Sequence, residues 1–132
     1  MNHDSYDDDH IADILRDCRS VAMIGASANT SRPSYFVLKY LLAKGYRVVP
    51  VNPVLAGRDI VGHKVYATLA DVPGPVDMVD IFRNSLAATG IVREAIALKD
   101  RLGIKVIWMQ LAVRNVAAAA EAEAAGLEVV MN

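Results

Sequence analysis

The chain has 132 residues, of which 54% are hydrophobic and 22% charged, and its 14 basic and 15 acidic side chains leave a net charge of −1. This length and composition are typical of one folded domain and exclude wholesale disorder. A single cysteine excludes an internal disulfide, and the near-neutral charge with 6% aromatic residues argues against a nucleic-acid-binding surface.

The first residues are acidic, with aspartates at positions 4, 7, 8 and 9, where a secretory signal would carry a basic stretch followed by an apolar one. The longest uncharged run, residues 20–31, is shorter than the roughly 20 apolar residues of a membrane-spanning helix. We therefore expect a cytoplasmic protein without a membrane segment. A flexible acidic tail is predicted over residues 1–9, with a single domain over residues 10–132 that starts with a short helix at 10–18.

Apolar runs of strand length alternate with helical periods from residue 20 onward, which indicates βα units around a parallel sheet. The five predicted strands are residues 21–24, 48–51, 78–82, 104–109 and 128–131. We predict an α/β, three-layer, Rossmann-like fold with a mainly parallel five-stranded sheet in the order 3-2-1-4-5. Pro50 lacks a donor for the strand ladder, so it should lie beside an edge, a bulge or the end of its strand.

Helix signals separate these strands. Pro33 suits the first turn of a helix that ends at Gly45, and Ser85 is a candidate cap for a helix closed by Gly103. Asn115 is the predicted cap of an alanine-rich helix over residues 116–125. Residues 54–76 are rich in Gly and Pro and predict a long loop with one short helix.

Ligands of open parallel sheets bind outside the carboxyl ends of the strands. The candidate residues are therefore those that follow the first four predicted strands: Gly25, Ala26 and Ser27; Asn52 and Pro53; Arg83; and Met109 with Gln110. The small residues of the first exit, leading to a helix that starts at Pro33, are typical of a loop whose amides hold phosphate. A tight turn without a ligand is the alternative interpretation of Gly25.

The charge distribution favours an anionic ligand near this loop. Residues 20–70 contain six Lys or Arg side chains and one Asp, although several of these cations would also suit exposed helix and loop faces. Arg32 is the best-placed cation because it directly precedes the predicted helix start at Pro33, where the helix dipole attracts an anion.

Two nucleotide fingerprints are absent. The loop from Gly25 to Thr30 contains one glycine instead of the three of a dinucleotide-binding motif, and no carboxylate occurs between Ser20 and Arg58 to hold ribose hydroxyls. An ordinary NAD site is therefore disfavoured. The P-loop pattern of ATPases is missing as well.

Catalytic and metal-binding groups are sparse. None of the three histidines has a carboxylate partner at a fixed spacing, and Cys18 is interpreted as a small buried hydrophobic residue. Asp77 and Asp80 are interpreted as helix-cap or loop partners. We expect no catalytic residue and no metal site.

Several short segments together resemble a known family. Residues 24–27, 32–34, 51–53, 80–81 and 106–110, with Gly62, Tyr66, Leu69 and Arg83, are similar to the small stand-alone CoA-binding domain proteins of bacteria and archaea. Those proteins look like the N-terminal domain of the succinyl-CoA synthetase alpha subunit. The resemblance covers residues 21–132 and stops short of a C-terminal segment that family members usually carry.

The resemblance implies coenzyme A or an acyl-CoA as the ligand. It places Gly25, Ala26 and Ser27 at the CoA diphosphate, Asn52 and Pro53 beside the adenosine, and Met109 with Gln110 as the closure of the site. The phosphate-carrying histidine of the synthetases lies in a domain outside this sequence, so the resemblance implies binding without the ligase reaction.

The sequence therefore predicts non-catalytic binding of CoA or an acyl-CoA, with a protein partner as a further expectation and no nucleic-acid or membrane partner. Two alternatives remain open, an NAD(H)-binding regulatory module and a subunit of an acyl-CoA-handling enzyme. A small hydrolase or transferase acting on a CoA ester is a third, for which no nucleophile and base pair is visible in the sequence.

Overall fold

The computed structural model describes residues 8–110 and 113–131. The helices are α1 (Asp8–Asp17), α2 (Pro33–Ala43), α3 (Ser85–Leu102) and α4 (Val116–Ala124), and one 3-10 turn covers Leu69–Asp71. The strands are β1 (Ser20–Ile24), β2 (Arg47–Val51), β3 (Asp59–Ile60), β4 (His63–Lys64), β5 (Met78–Ile81), β6 (Val106–Met109) and β7 (Glu128–Met131). The predicted tail lies outside the described residues except for positions 8 and 9, which open α1.

The main sheet has five parallel strands in the order β2-β1-β5-β6-β7. Helices cover both faces. The core on one face joins the sheet to α3 and α4 through residues such as Val92 and Ala119, and the core on the other face joins it to α1 and α2 through Ile14 and Leu38. The predicted three-layer Rossmann-like α/β fold is confirmed.

The predicted strand order is wrong at one place. The third predicted strand, β5, pairs with β1 and not with β2, so the order of the five predicted strands is 2-1-3-4-5. All four residues of β5 are buried, which suits an internal strand, whereas β2 lies at the sheet edge. Pro50 fits that edge position because its backbone faces away from β1 and needs no donor toward that strand. On the outer side, the Pro50 carbonyl accepts from the Tyr66 amide at 3.0 Å.

The segment between β2 and β5 contains more structure than predicted. The expected short helix is the 3-10 turn at Leu69–Asp71, but β3 and β4 also form a small antiparallel hairpin. After the hairpin, the Tyr66 carbonyl accepts from the Asn52 amide at 2.9 Å, so this segment covers part of the β2 edge. The connection then crosses the sheet face that α3 and α4 cover and reaches β5, which lies on the opposite side of β1 from β2.

Local signals decided where the helices begin. Pro33 is the first residue of α2, and Asn115 caps α4 by accepting from the Ala118 amide at 2.9 Å, both as predicted. The cap of α3 is Asn84 instead of Ser85, since the Asn84 side chain accepts from the Ala87 amide at 2.8 Å. None of the helices in the described ranges has the length and apolar character needed to cross a membrane.

Candidate functional site

The chain reverses the direction of its sheet connections between β1 and β5. From β1 the chain moves to β2 on one side, and from β5 it moves to β6 on the other. The two strands end at Ile24 and Ile81. Gly25 and Arg83 follow these ends and therefore flank the crevice where open α/β sheets bind their ligands.

A cleft of about 440 Å³ opens at this crevice, and we call it the polar cleft. It brings together six of the nine predicted site residues. Its lining residues are Gly25, Ala26, Ser27, Arg32, Pro33, Ser34, Asn52, Phe82 and Arg83.

Two features require glycine at position 25, its backbone conformation and the little space around its Cα. Its φ is +90°, a value that side-chain-bearing residues rarely adopt. A Cβ placed on Gly25 would lie 3.0 Å from Cδ of Arg83 and 3.2 Å from the carbonyl carbon of Phe82. The chain therefore needs glycine here to let the two strand exits approach each other, which favours the functional interpretation of this turn.

The loop after Gly25 is held by its own hydrogen bonds. Ser27 Oγ accepts from the Asn29 amide at 3.0 Å, and Asn29 Oδ1 accepts from the amide and the hydroxyl of Ser31 at 3.0 and 2.8 Å. The Arg32 amide then donates to the Asn29 carbonyl at 3.0 Å and closes the turn before α2. This loop leads to the N-terminus of α2, an end whose backbone dipole favours anions.

Asn52 ties the exit of β2 to the loop. Its Nδ2 donates to the Ala26 carbonyl at 2.9 Å, and its Oδ1 accepts from the Val54 amide at 2.9 Å. Both polar groups of the Asn52 side chain therefore bind backbone groups of the protein. Asn52 thus holds the exit of β2 against the loop and supports the shape of the polar cleft.

Two cations line the polar cleft without internal partners. The guanidinium groups of Arg32, at the N-cap position of α2, and of Arg83, after β5, form no hydrogen bond or ion pair within residues 8–110 and 113–131. No Asp or Glu is among the residues that line this cleft. The cleft can therefore attract an anion with two guanidinium groups that are already free to pair with it.

A second cleft, of about 240 Å³, shares Gly25 and Arg83 with the first and is mainly apolar. We call it the apolar cleft. It is lined by Ile24, Gly25, Val51, Pro53, Ala67, Thr68, Leu69, Arg83, Ala87, Ile91 and Glu94. The predicted site residue Pro53 lies here and not in the polar cleft.

Met109 and Gln110 line neither cleft. Met109 is fully buried in the core between the sheet and α3 and α4, which leaves its side chain no exposed surface for contact with a ligand. The strand order explains this placement, because β5 separates β6 from β1 and the Gly25 loop. Gln110 stays half-buried at the exit of β6, where its amide donates to the Ile81 carbonyl at 3.0 Å.

Several lining residues were not predicted. Phe82 belongs to the polar cleft, and its position directly before Arg83 at a strand exit was an available signal. Thr68, Ile91 and Glu94 belong to the apolar cleft, but they come from an irregular segment and from the middle of a helix. Only the packing of α3 beside the 3-10 turn brings these three residues to β1.

Asp80 is a buried carboxyl group rather than the predicted cap or loop partner. It is 1% exposed and lies in register with Trp108 of β6 and Met23 of β1. Within the described chain, Asp80 Oδ1 and Trp108 Nε1 are buried without a hydrogen-bond partner. Burial raises the pKa of Asp80 to about 7, and a hydrogen bond with the Gln110 side chain opposes this rise.

Asp77, by contrast, is a loop partner as predicted. Its Oδ2 accepts from the backbone amides of Arg19 and Ser20 at 2.7 and 3.2 Å. Asp77 thereby joins the start of β1 to the start of β5, at the end of the sheet opposite the two clefts.

Cys18 has the properties of a core residue. It is fully buried, and burial, with a further contribution from the Asp77 carboxylate, raises the pKa of its thiol to about 11. At neutral pH the side chain is therefore a neutral thiol, which is a poor nucleophile.

Comparison with solved structures supports the fold. A hypothetical protein from Pyrococcus horikoshii OT3 superposes with a TM-score of 0.89 at 35% sequence identity, over 100% of this chain and 89% of that chain.

Two curated relatives are similar in sequence. The uncharacterized protein YneT of Bacillus subtilis is 33% identical over 84 residues, which are 64% of this chain and 61% of YneT. The alpha subunit of acetate–CoA ligase [ADP-forming] I of Pyrococcus furiosus is 32% identical over 93 residues, 67% of this chain and 19% of that subunit. The chain thus spans less than two thirds of the length of either relative.

A family model described as a CoA binding domain matches residues 19–132, which include every residue of both clefts. The resemblance noted in the sequence is therefore confirmed, and the chain belongs to the CoA binding domain family.

Proposed function

We propose that this protein binds coenzyme A or an acyl-CoA in the two adjoining clefts, with the phosphates in the polar cleft. The observation that carries the proposal is the pair Arg32 and Arg83, two cations whose guanidinium groups have no partners among the described residues and that line the polar cleft together with Gly25. CoA carries a diphosphate and a 3′-phosphate, and guanidinium groups bind phosphate through paired, charge-assisted hydrogen bonds. Membership of the CoA binding domain family supports the same ligand.

The alternative of an NAD(H)-binding regulatory module is less well supported. In a dinucleotide site, a carboxylate after the second strand holds the ribose hydroxyls. Here Asn52 and Pro53 follow β2, and both polar ends of the Asn52 side chain are used by Ala26 and Val54. The polar cleft has no carboxylate among its lining residues to replace it.

Calorimetric titration with CoA, acetyl-CoA, NAD and ATP tests the ligand. We expect CoA or acetyl-CoA to bind and to raise the melting temperature, because a ligand that binds only the native state stabilises it. NAD should bind much more weakly. Tight binding of NAD with no response to CoA would contradict the proposal and favour the regulatory NAD(H) module.

We propose further that binding is non-catalytic in the isolated chain. The hydroxyl groups of the polar cleft belong to Ser27 and Ser34, and no histidine or carboxylate lines the cleft to act as their base. Incubation of the purified chain with acetyl-CoA should leave the thioester intact. Hydrolysis or acyl transfer that survives repurification and is lost on one substitution in the chain would refute this part.

A role as a subunit of an acyl-CoA-handling enzyme is compatible with binding alone. The Pyrococcus furiosus relative is a ligase subunit, and the part of it that matches this chain is 19% of its length. We propose that this protein holds CoA for a partner protein that supplies the chemistry. Size-exclusion chromatography of the CoA-loaded protein with a candidate acyl-activating partner would detect such a complex.

Substitution of Arg32 tests the placement of the phosphates. A hydrogen bond to a charged group contributes roughly 1.5–3 kcal/mol, so Arg32→Ala should weaken CoA binding about ten- to a hundredfold. The melting temperature without ligand should stay nearly unchanged, because the Arg32 side chain is exposed and makes no cap hydrogen bond. Isothermal titration measures both variant and parent.

Lys44→Ala is the matched control for Arg32→Ala. Lys44 is also an exposed cation, located at the far end of α2, and its ammonium group lies 5.6 Å from the ring centroid of Tyr40. This control should keep the affinity of the parent protein. Equal affinity for CoA in the Arg32 variant and the parent would show that the phosphates lie elsewhere.

A further inference from the structure

The buried carboxyl group of Asp80 lies on the face of the sheet onto which the polar cleft opens. Its register partners, Met23 of β1 and Trp108 of β6, belong to the core beneath α1 and α2. Phe82, two residues after Asp80, packs against the same core and lines the polar cleft. Two residues along a strand span about 7 Å and point to the same face, so Asp80 lies one repeat of the strand behind the wall of the cleft.

An ionised Asp80 has no counter-ion in the core. The residue is 1% exposed, and its Oδ1 has no hydrogen-bond partner in the described parts of the chain. The side chain of Gln110 is the hydrogen-bond partner of the carboxyl group, and no charged group contributes to the shift of its pKa, which burial raises to about 7. The negative charge of an ionised Asp80 is therefore uncompensated and poorly screened.

The elements packed around Asp80 contribute few ionisable groups. Strands β1 and β6 contain none. The ionisable side chains of residues 10–18 line a separate cleft at the start of β6 and β7, at the far end of the sheet. Those nearer the strand exits belong to α2 and to the polar cleft, and they are Tyr35, Lys39, Tyr40, Arg32 and Arg83. Because Lys39 and Tyr40 are exposed, the charges that act on a ligand in the cleft are the two guanidinium groups and Asp80.

We propose that Asp80 makes CoA binding dependent on pH and that the protein binds CoA more tightly while the Asp80 carboxyl group is protonated. This inference rests on the proposed function, which places the CoA diphosphate in the polar cleft. A neutral Asp80 leaves the attraction of Arg32 and Arg83 for the diphosphate undiminished, whereas an ionised Asp80 repels it. By the same repulsion, bound diphosphate raises the affinity of Asp80 for its proton, so binding takes up protons from the solution.

The direction of the pH dependence follows from this linkage. At pH 6 Asp80 is protonated in both the free and the bound protein, so its charge does not oppose binding. Above pH 7 the free protein has lost this proton, and it must either regain the proton or bind the diphosphate beside a carboxylate. Unit charges roughly 10 Å apart behind a protein wall change an affinity about tenfold, so binding should be about five- to tenfold weaker at pH 8.5 than at pH 6.

Calorimetric titration with dephospho-CoA between pH 6 and pH 8.5 tests the proposal. This probe keeps the diphosphate but lacks the 3′-phosphate, a monoester that itself titrates near pH 6. We expect the dissociation constant to rise about five- to tenfold over this range. Repeating the titration near pH 7.5 in buffers with different heats of ionisation measures proton uptake, which should be positive.

Two variants assign the effect to Asp80. Asp80→Asn carries the neutral form permanently, so it should bind the probe at pH 8.5 as the parent does at pH 6, with no proton uptake. Gln110→Met removes the hydrogen bond that lowers the pKa of Asp80, so its loss of affinity should begin at higher pH than in the parent. Asp100→Asn, an exposed acidic position on α3, is the matched control and should keep the pH dependence of the parent.

The outcomes separate this inference from the proposed function. Equal affinity of the parent for dephospho-CoA at pH 6 and pH 8.5, with CoA still bound, would overturn the proton linkage and leave CoA binding intact. A loss of affinity that persists in Asp80→Asn, or that keeps its midpoint in Gln110→Met, would overturn the assignment to Asp80. Failure of the parent to bind CoA and dephospho-CoA at pH 6 would overturn the inference and the proposed function together.

Discussion

Gly25→Val is expected to reduce CoA affinity by at least a hundredfold. Valine at this position would place a Cβ 3.0 Å from Cδ of Arg83 and 3.2 Å from the Phe82 carbonyl carbon, so the exits of β1 and β5 must move apart. Its γ-methyl groups would also occupy the space where the proposed diphosphate meets the loop backbone. Calorimetric titration of the variant with CoA measures the loss.

The same substitution should also lower stability. A side-chain-bearing residue with a φ of +90° costs about 1–2 kcal/mol relative to glycine. A control must therefore separate backbone strain from loss of the ligand site. Gly45→Val provides it, because Gly45 also has a φ of +90° but a Cβ there would meet no atom within 4 Å.

We expect both glycine variants to melt at lower temperature and only Gly25→Val to lose CoA binding. Gly45 follows the end of α2 and lines neither cleft. Retention of full CoA affinity by Gly25→Val would place the ligand away from the loop after β1. Equal loss in both variants would mean that the effect comes from general destabilisation.

Asp80→Asn is expected to stabilise the protein above neutral pH. Burial raises the pKa of Asp80 from its ordinary 3.8 to about 7. Between these two pH values the folded protein keeps the carboxyl proton of Asp80, whereas the unfolded chain has released it. The free energy of unfolding therefore falls as pH rises from about 4 to about 7 and then levels off. Asparagine does not titrate, so the variant lacks this fall.

The expected gain is large for one substitution. The rise of the Asp80 pKa from 3.8 to about 7 sets a ceiling of roughly 4 kcal/mol for the gain at pH 8. At pH 4 the parent carboxyl is neutral and the two proteins should have similar stability. Urea unfolding of parent and variant between pH 4 and pH 8 measures the difference.

Trp108 provides an independent measurement of the same ionisation. It is the one tryptophan of the chain and lies in register with Asp80 on the neighbouring strand. Its emission should change with a midpoint near pH 7 in the parent and stay flat in Asp80→Asn. Asp100→Asn, an exposed control, should leave both stability and emission as in the parent. Equal pH dependence of unfolding in parent and Asp80→Asn would show that Asp80 ionises normally.

The general architecture and the loop proposed to bind phosphate follow from local features of the sequence. Alternating apolar runs and helical periods predicted the layers, because these periods report which faces must be buried. Gly25 and Arg32 were predicted from their positions at a strand exit and before a helix start, and the structure places both in the polar cleft. Pro33 and Asn115 marked helix starts through chemistry that acts within one turn.

The order of the strands was decided only by tertiary packing. The wholly buried β5 takes an internal place beside β1, and the proline-containing β2 takes the edge, although nothing local in either strand states which neighbour it will have. That choice brought Arg83 to Gly25 and moved Met109 into the core. Packing of helix α3 beside the 3-10 turn also made the apolar cleft from residues far apart in sequence, Val51, Leu69 and Glu94. Residues that meet through long-range packing leave no local periodicity or motif, so Glu94 and the buried ionisable Asp80 could be recognised only in the folded chain.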